Sequence, residues 1–91
     1  MPYKIIYTES YVKRAAKFAK QHPELLKQYE KTLKLLEINP FHTSLRLHKL
    51  KGKLEALHSV SINMNYRIVI ILIIRESSIV PVDVSSHGDV Y

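Results

Sequence analysis

Residue types that handle phosphate lie near the end of this sequence and on its most hydrophobic segment. Residues 85–91 read SSHGDVY, and Arg67 begins an apolar run. An arginine guanidinium is a planar fork of donors that fits two phosphate oxygens. A histidine such as His87 exchanges protons near neutral pH, and a tyrosine such as Tyr91 can stack on a base. Together these residues predict a site that handles phosphate.

The chemistry that suits such a site is metal-free cleavage of RNA, which carries its own nucleophile in the 2′-hydroxyl. A protein can align that hydroxyl with the next phosphate, stabilise the phosphorane charge and protonate the leaving 5′-oxygen. A basic stretch before the strands would hold the RNA backbone; its cations are Arg46, Lys49, Lys51 and Lys53. The same stretch, with His48, can instead be an ordinary solvated surface.

Composition favours an anionic partner. The chain has 91 residues, with 14 Lys and Arg against 8 Asp and Glu, a net charge of +6. This length predicts one domain over residues 1–91. The charge predicts attraction to nucleic acid, an anionic membrane or an acidic protein. A basic domain with no specific polyanion stays open as an alternative.

Cysteine usage and hydrophobic run length narrow the class of protein. The sequence has no cysteine, which excludes disulfides, Cys-ligated zinc and a thiol nucleophile and is compatible with a reducing cytosol. Residues 1–8 lack the pattern of a signal peptide. The apolar run 68–74 is far shorter than the ~20 residues of a membrane helix. We therefore expect a cytoplasmic protein without a membrane partner.

Periodicity predicts a strand and two helices in the first half. Tyr3–Tyr7 is rich in β-formers, and Thr8 or Ser10 can cap the helix that follows. Apolar residues at helical spacing predict its buried face: Val12, Ala15, Ala16 and Ala19, with Phe18 on the flank. A second helix starts at His22-Pro23 and ends at Asn39-Pro40. Its predicted apolar stripe is Leu25, Leu26, Tyr29, Leu33 and Leu36.

The second half predicts three strands, Leu57–Ile62, Tyr66–Ile74 and Ile79–Val84, because β-branched residues dominate and turn residues separate them. The middle segment is almost continuously apolar, which is typical of a central strand. We therefore predict an α+β fold, in which an N-terminal strand and a two-helix hairpin pack on a mainly antiparallel sheet.

Hairpin geometry predicts which residues meet. A turn centred between Glu76 and Ser77 places Arg67 opposite Ser86 and beside His87. The preceding turn, near Met64, places Arg67 opposite Ser61 or Ile62. Three adjacent strands would thus bring these residues to one end of the sheet.

Each candidate also has a purely structural interpretation. Arg67 can be an arginine at the sheet edge, ion-paired to Asp83 or Glu55. His87 can be a solvated histidine, and the ring of Tyr91 can close the core. The functional interpretation depends on these side chains lying close together in the folded protein.

Three segments in this order resemble the RelE/ParE toxin superfamily, the small toxins of type II toxin–antitoxin modules. They are His48-Lys49-Leu50-Lys51-Gly52, Tyr66-Arg67-Ile68-Val69 and the ending Ser86-His87-Gly88-Asp89-Val90-Tyr91. The similarity is greatest to the YafQ and YoeB branches and extends over the whole chain. It implies a metal-independent endoribonuclease that cuts mRNA in the ribosomal A site, needs no cofactor and is blocked by an acidic antitoxin.

The resemblance also implies roles for individual residues. Arg67 matches an arginine that binds the scissile phosphate, His87 a histidine in acid–base work, and Tyr91 a terminal aromatic. His48 falls where these branches place a general base, although which of His48 and His87 donates the proton stays open. Lys49, Lys51 and Lys53 match the family's basic loop in character.

Two departures from the YafQ pattern keep other activities open. This chain has Ser61 where that branch has a histidine, and Asn65 where it has an aspartate. A ParE-like toxin that inhibits DNA gyrase without nuclease activity is therefore an alternative. A degenerate module that only binds its antitoxin is another.

Overall fold

The computed structural model describes residues 2–50 and 56–86, which form two helices on one face of a sheet. The elements, in chain order, are β1 (Lys4–Ile5), α1 (Glu9–Gln21), α2 (Leu26–Ile38), β2 (His48–Lys49), β3 (Leu57–Ser61), β4 (Tyr66–Ile73) and β5 (Ser78–Ser86). The strand order is β1-β5-β4-β3-β2, with β1 parallel to β5 and the other pairs antiparallel. The predicted α+β fold is confirmed, and the strand that carries Arg67 lies in the middle of the sheet.

Helix α1 buries only part of the predicted face: Ala15 and Phe18 pack in the core, but Val12 does not. Thr8 caps it, since its hydroxyl accepts a hydrogen bond from the backbone N–H of Tyr11 at 3.1 Å. Tyr11 and Phe18 are buried, seven positions apart, whereas Val12 is 52% exposed. The predicted burial of Val12 is wrong, because two aromatic rings on one side bury more apolar area than a valine and alanines do.

Helix α2 follows a short 3-10 helix, Pro23–Leu25, and its C-cap is Asn39, just before a proline. Tyr29 and Leu36 of the predicted stripe are buried, but Leu26 is exposed. The two helices are joined by a 2.5 Å hydrogen bond between the hydroxyls of Tyr11 and Tyr29. Burial and this bond raise the pKa of the Tyr11 phenol, and burial raises that of Tyr29.

Strand β4 has two distinct faces. Ile68, Ile70 and Leu72 are buried in the core with the helix residues. Because neighbouring residues of a strand point to opposite sides, Arg67 lies on the face away from the helices. The core thus fixes which side of the sheet receives the arginine.

The strand registers are partly as predicted. Arg67 pairs with Ser61 on β3, which is one of the two predicted partners. On β5 it pairs with Ser85, so the predicted pairing with Ser86 is wrong. The hairpin turn is centred one residue earlier than predicted, because Ile73 pairs with Ser78, and this alone would place Arg67 opposite Val84. A register shift next to Pro81 moves the partner on by one residue, since proline has no N–H to donate and favours an irregularity there.

Candidate functional site

Among the described residues, Arg67 donates hydrogen bonds to two acceptors on its face of the sheet. Its Nε donates to the hydroxyl of Ser59 at 3.1 Å, and its Nη2 donates to the backbone carbonyl of Arg46 at 2.9 Å. The residue is 8% exposed and lies on the central strand, so the interpretation as a sheet-edge arginine is wrong. A buried guanidinium needs such acceptors, because an unpaired buried charge is costly. The two bonds fix the orientation of the guanidinium plane.

Arg46 contributes its backbone to this arrangement. It ends the short 3-10 helix Thr43–Leu45 in a left-handed conformation, with φ 49° and ψ 51°. Positive φ is uncommon for residues other than glycine. The side chain of Arg46, predicted to bind RNA, is exposed, while the carbonyl is the group that contacts Arg67. The basic stretch in the sequence indicates Arg46 as a site residue, but not the role of its carbonyl as an acceptor for Arg67.

Two serines of β3 lie beside Arg67. Ser59 is completely buried, and it was not among the predicted site residues. Ser61 is directly opposite Arg67, but its hydroxyl donates to the carbonyl of Asn63 at 2.7 Å. The alternation of Ser59 and Ser61 with the buried Val60 and Ile62 was the available sequence signal, because it places a polar row on one face.

His48 shares the face of Arg67. It lies on β2 and pairs with Ser59, and paired residues of an antiparallel ladder project to the same side. Its exposed imidazole therefore lies in the row that contains the serine bonded to Arg67. Lys49, the next residue, pairs with His58 and belongs to the opposite face. The structure thus places His48 and Arg67 on one face of the sheet, each next to Ser59, and places Lys49 on the other face.

The other predicted site residues lie outside the described part of the chain. They are Lys51, Lys53, His87 and Tyr91. Of the carboxylates proposed as partners of Arg67, Glu55 is also outside it. Asp83 forms an ion pair with Arg14 at 3.5 Å and accepts a hydrogen bond from the Ser85 hydroxyl. Within residues 2–50 and 56–86 no cluster of three His, Asp or Glu side chains could hold a metal ion.

The site can fix a phosphate and exchange a proton beside it. A guanidinium with a set orientation stabilises developing phosphorane charge without reorganising, and an exposed imidazole on the same face is placed for proton transfer.

None of the helices in the described residues is long and apolar enough to cross a membrane.

Several solved structures that share this fold come from toxin–antitoxin complexes. The sequence matches no protein-family model and no curated protein sequence. In structure it is similar to a chain of the Escherichia coli DinJ–YafQ toxin–antitoxin complex, with a TM-score of 0.77 and 15% identity over 100% of this chain and 99% of that one.

Two further structures extend the similarity to other branches. The YoeB/ParE toxin from Agrobacterium tumefaciens has a TM-score of 0.73 and 16% identity over 92% of this chain and 98% of its own. A chain of the archaeal RelE–RelB complex from Pyrococcus horikoshii has a TM-score of 0.71 and 19% identity, over 97% and 98%. The chain therefore shares its fold with YafQ, YoeB/ParE and RelE structures, which is the fold that the resemblance implied.

Proposed function

We propose that this protein is the toxin of a type II toxin–antitoxin module and cuts mRNA in the A site of the ribosome. The observation that carries the proposal is the guanidinium of Arg67, held by Ser59 and the Arg46 carbonyl on the face that also presents His48. The toxins that share the fold support it. A cytoplasmic location belongs to the same proposal.

The reaction needs only groups that the chain supplies. His48 takes the proton of the 2′-hydroxyl, whose oxygen attacks the adjacent phosphorus. Arg67 stabilises the charge of the phosphorane. The bond from phosphorus to the 5′-oxygen then breaks, and that oxygen takes up a proton from His87. The products are a 2′,3′-cyclic phosphate and a free 5′-hydroxyl. Tyr91 orients a base or the leaving group.

Basic residues supply affinity for the RNA backbone. The side chain of Arg46 is exposed next to the Arg67 site, and each phosphate contact adds a salt-dependent increment of binding. Lys49 is exposed on the opposite face of the sheet, so it would contact a more distant part of the strand. Lys51 and Lys53 extend the basic stretch in sequence. The net charge of +6 also fits an acidic antitoxin. Solved neighbours include complexes of a toxin with its antitoxin, and the proposal carries that kind of partner over to this chain.

A second candidate is a toxin that inhibits DNA gyrase without cutting RNA. Two observations favour it: Arg67 is only 8% exposed, and the hydroxyl of Ser61 bonds to the turn at Asn63. Neither Ser61 nor Asn65 offers a group that titrates near neutral pH. A module that only binds its antitoxin would share these features.

Controlled induction in bacteria separates the candidates. Wild type should arrest growth and produce new mRNA 5′ ends inside translated frames. Arg67→Gln should abolish both effects. Arg75→Gln removes the same charge from an exposed position in the short 3-10 helix Ile74–Glu76, so it should act as wild type. Arrest with inhibited supercoiling and no cuts would establish the gyrase candidate, and absence of arrest would indicate a binding module.

A further inference from the structure

A cleft lies on the side of β4 that faces away from the guanidinium of Arg67. It has a volume of about 460 Å³ and lies between the C-terminal half of α1 and the end of β5. We call it the α1–β5 cleft. The residues that determine its chemistry are Arg14, Lys17, His22, Tyr66, Asp83 and Ser85. The residues of this cleft take no part in the proposed cleavage steps.

One wall of the cleft is aromatic. The ring centroids of His22 and Tyr66 are 4.7 Å apart, and that of Phe18 lies 5.0 Å from His22 and 5.5 Å from Tyr66. Phe18 is buried beneath, while His22 and Tyr66 are half-buried and line the cleft. Half-buried rings at the side of an open cleft provide a platform on which a nucleobase can stack.

Charged residues also line the cleft. Arg14 and Lys17 are both exposed on α1. The carboxylate of Asp83 forms an ion pair with Arg14 at 3.5 Å, which offsets part of each charge. His22 lies 3.8 Å from the exposed carboxylate of Glu24. Lys17 is therefore the cation in this cleft that is best placed to contact a phosphate.

The cleft and the Arg67 site share the end of the sheet. Tyr66 and Arg67 are consecutive on β4 and point to opposite faces. Ser85, which lines the cleft, is the β5 partner of Arg67, and Ser86 is the partner of Tyr66. A strand of RNA that contacts Arg67 needs only to pass over this end of the sheet to reach the ring of Tyr66.

We infer that the α1–β5 cleft binds the nucleotide that flanks the cleavage point, with its base on the ring of Tyr66 and its phosphate on Lys17. The inference rests on the proposed action on RNA and names a further part of the substrate. Stacking on an aromatic face accepts every base, so the cleft adds affinity and sets the path of the strand, without reading sequence.

The test uses binding of a short single-stranded RNA with 2′-O-methyl riboses, which cannot be cleaved, so that binding is separated from nuclease activity. Lys17→Gln should reduce the slope of log affinity against log salt by about 0.7, the value for one phosphate contact of a single strand. Lys20→Gln is the matched control, because Lys20 is an exposed lysine on the same helix outside the cleft lining. It should have a smaller effect on the slope. Equal slopes for the two variants would overturn the inference.

Stacking has its own test. Tyr66→Leu should weaken binding on the order of tenfold, and Tyr66→Phe should restore it, because the ring supplies the stacking energy. A second experiment uses the wild-type protein, so its result does not depend on whether a variant folds. Irradiation of the complex with the same RNA carrying 5-iodouridine should crosslink the RNA to Tyr66 or His22. Crosslinks confined to other residues would contradict the inference. If the crosslink forms but wild type leaves unmodified mRNA intact, the cleft is established and the proposed nuclease activity is wrong.

Discussion

The guanidinium of Arg67 and the backbone carbonyl of Arg46 are joined by a 2.9 Å hydrogen bond across 21 positions of sequence. The bond ties the central strand to the segment that precedes β2. The residue whose carbonyl accepts this bond has a left-handed backbone. The orientation of the proposed phosphate-binding group thus depends on a distant turn as well as on its own strand.

Replacing Arg46 with glycine separates its backbone from its side chain. Glycine adopts positive φ without steric cost, so Arg46→Gly should keep the carbonyl bond and change the free energy of unfolding by less than about 1 kcal/mol. It should weaken RNA binding and lower the salt slope by about 0.7, because one cation is lost. Ser77→Gly is the control, since Ser77 also has positive φ and belongs to the distant β4–β5 turn. The measurement is a set of RNA-binding titrations at several salt concentrations. An unchanged slope of log affinity against log salt would argue against a phosphate contact by Arg46.

Ser59 should be a positioning residue for Arg67. Ser59→Ala removes a completely buried acceptor and leaves Nε of Arg67 without that bond. We expect a loss of about 1–3 kcal/mol in the free energy of unfolding and a slower cleavage rate at saturating RNA. Ser61→Ala is the matched change, because its hydroxyl bonds to Asn63 instead of Arg67. Denaturant titrations and single-turnover rates should therefore separate the two serines; equal rates in both variants would remove Ser59 from the site.

His48 should act as the general base. His48→Gln should lower the cleavage rate by about 10²–10⁴-fold and flatten the acidic limb of the pH–rate profile. His58→Gln is the control, since His58 is on the neighbouring strand but on the opposite face, with its Nδ1 2.9 Å from the carbonyl of Ala56. A pH–rate profile for each variant checks the assignment. If His58→Gln changes the profile as much as His48→Gln, the assignment of the base is wrong.

The Tyr11–Tyr29 pair predicts loss of stability in alkali. Both phenols have a pKa raised above the usual 10.0 by burial, so the folded state keeps protons that the unfolded state releases. Stability is complete below pH 10 and falls as the pH rises above it. Tyr11→Phe should be less stable at pH 7 by about 1 kcal/mol. Above pH 10 the free energy of unfolding of Tyr11→Phe should fall less steeply with pH than that of wild type. The two slopes should differ by up to about 1.4 kcal/mol per pH unit. Denaturant titrations between pH 8 and 11 measure this difference, and parallel pH dependences would contradict it.

Sequence reasoning predicted the class of fold because the periodicities were unambiguous. The long apolar run of β4 could only be a central strand, and the Asn39-Pro40 helix end and the pairing of Arg67 with Ser61 follow from local chemistry. The buried side of α1 was predicted only in part, because alanines fit on any face of a helix while the tertiary fold decides which side receives Tyr11.

The site was harder to predict than the fold. The β4–β5 turn is centred one residue earlier than predicted, and the register shift beside Pro81 offsets only half of the resulting displacement of the Arg67 partner. Periodicity reveals neither a turn centre nor an extra residue in a strand. The bonds to Ser59 and to the Arg46 carbonyl depend on long-range packing, and the backbone acceptor has no signature in residue types. The roles of His87 and Tyr91 stay predictions, as does the acid–base assignment of His48.

The most direct test of the central claim is cleavage of mRNA by the purified protein on stalled, reconstituted ribosomes. Wild type should cut at the A-site codon and leave a 2′,3′-cyclic phosphate. Arg67→Lys should be at least about a hundredfold slower, because an ammonium keeps the charge but loses the planar fork. Arg75→Lys should cut at the wild-type rate. Cleavage by Arg67→Lys at the rate of Arg75→Lys, with both variants folded by thermal melting, would contradict the account.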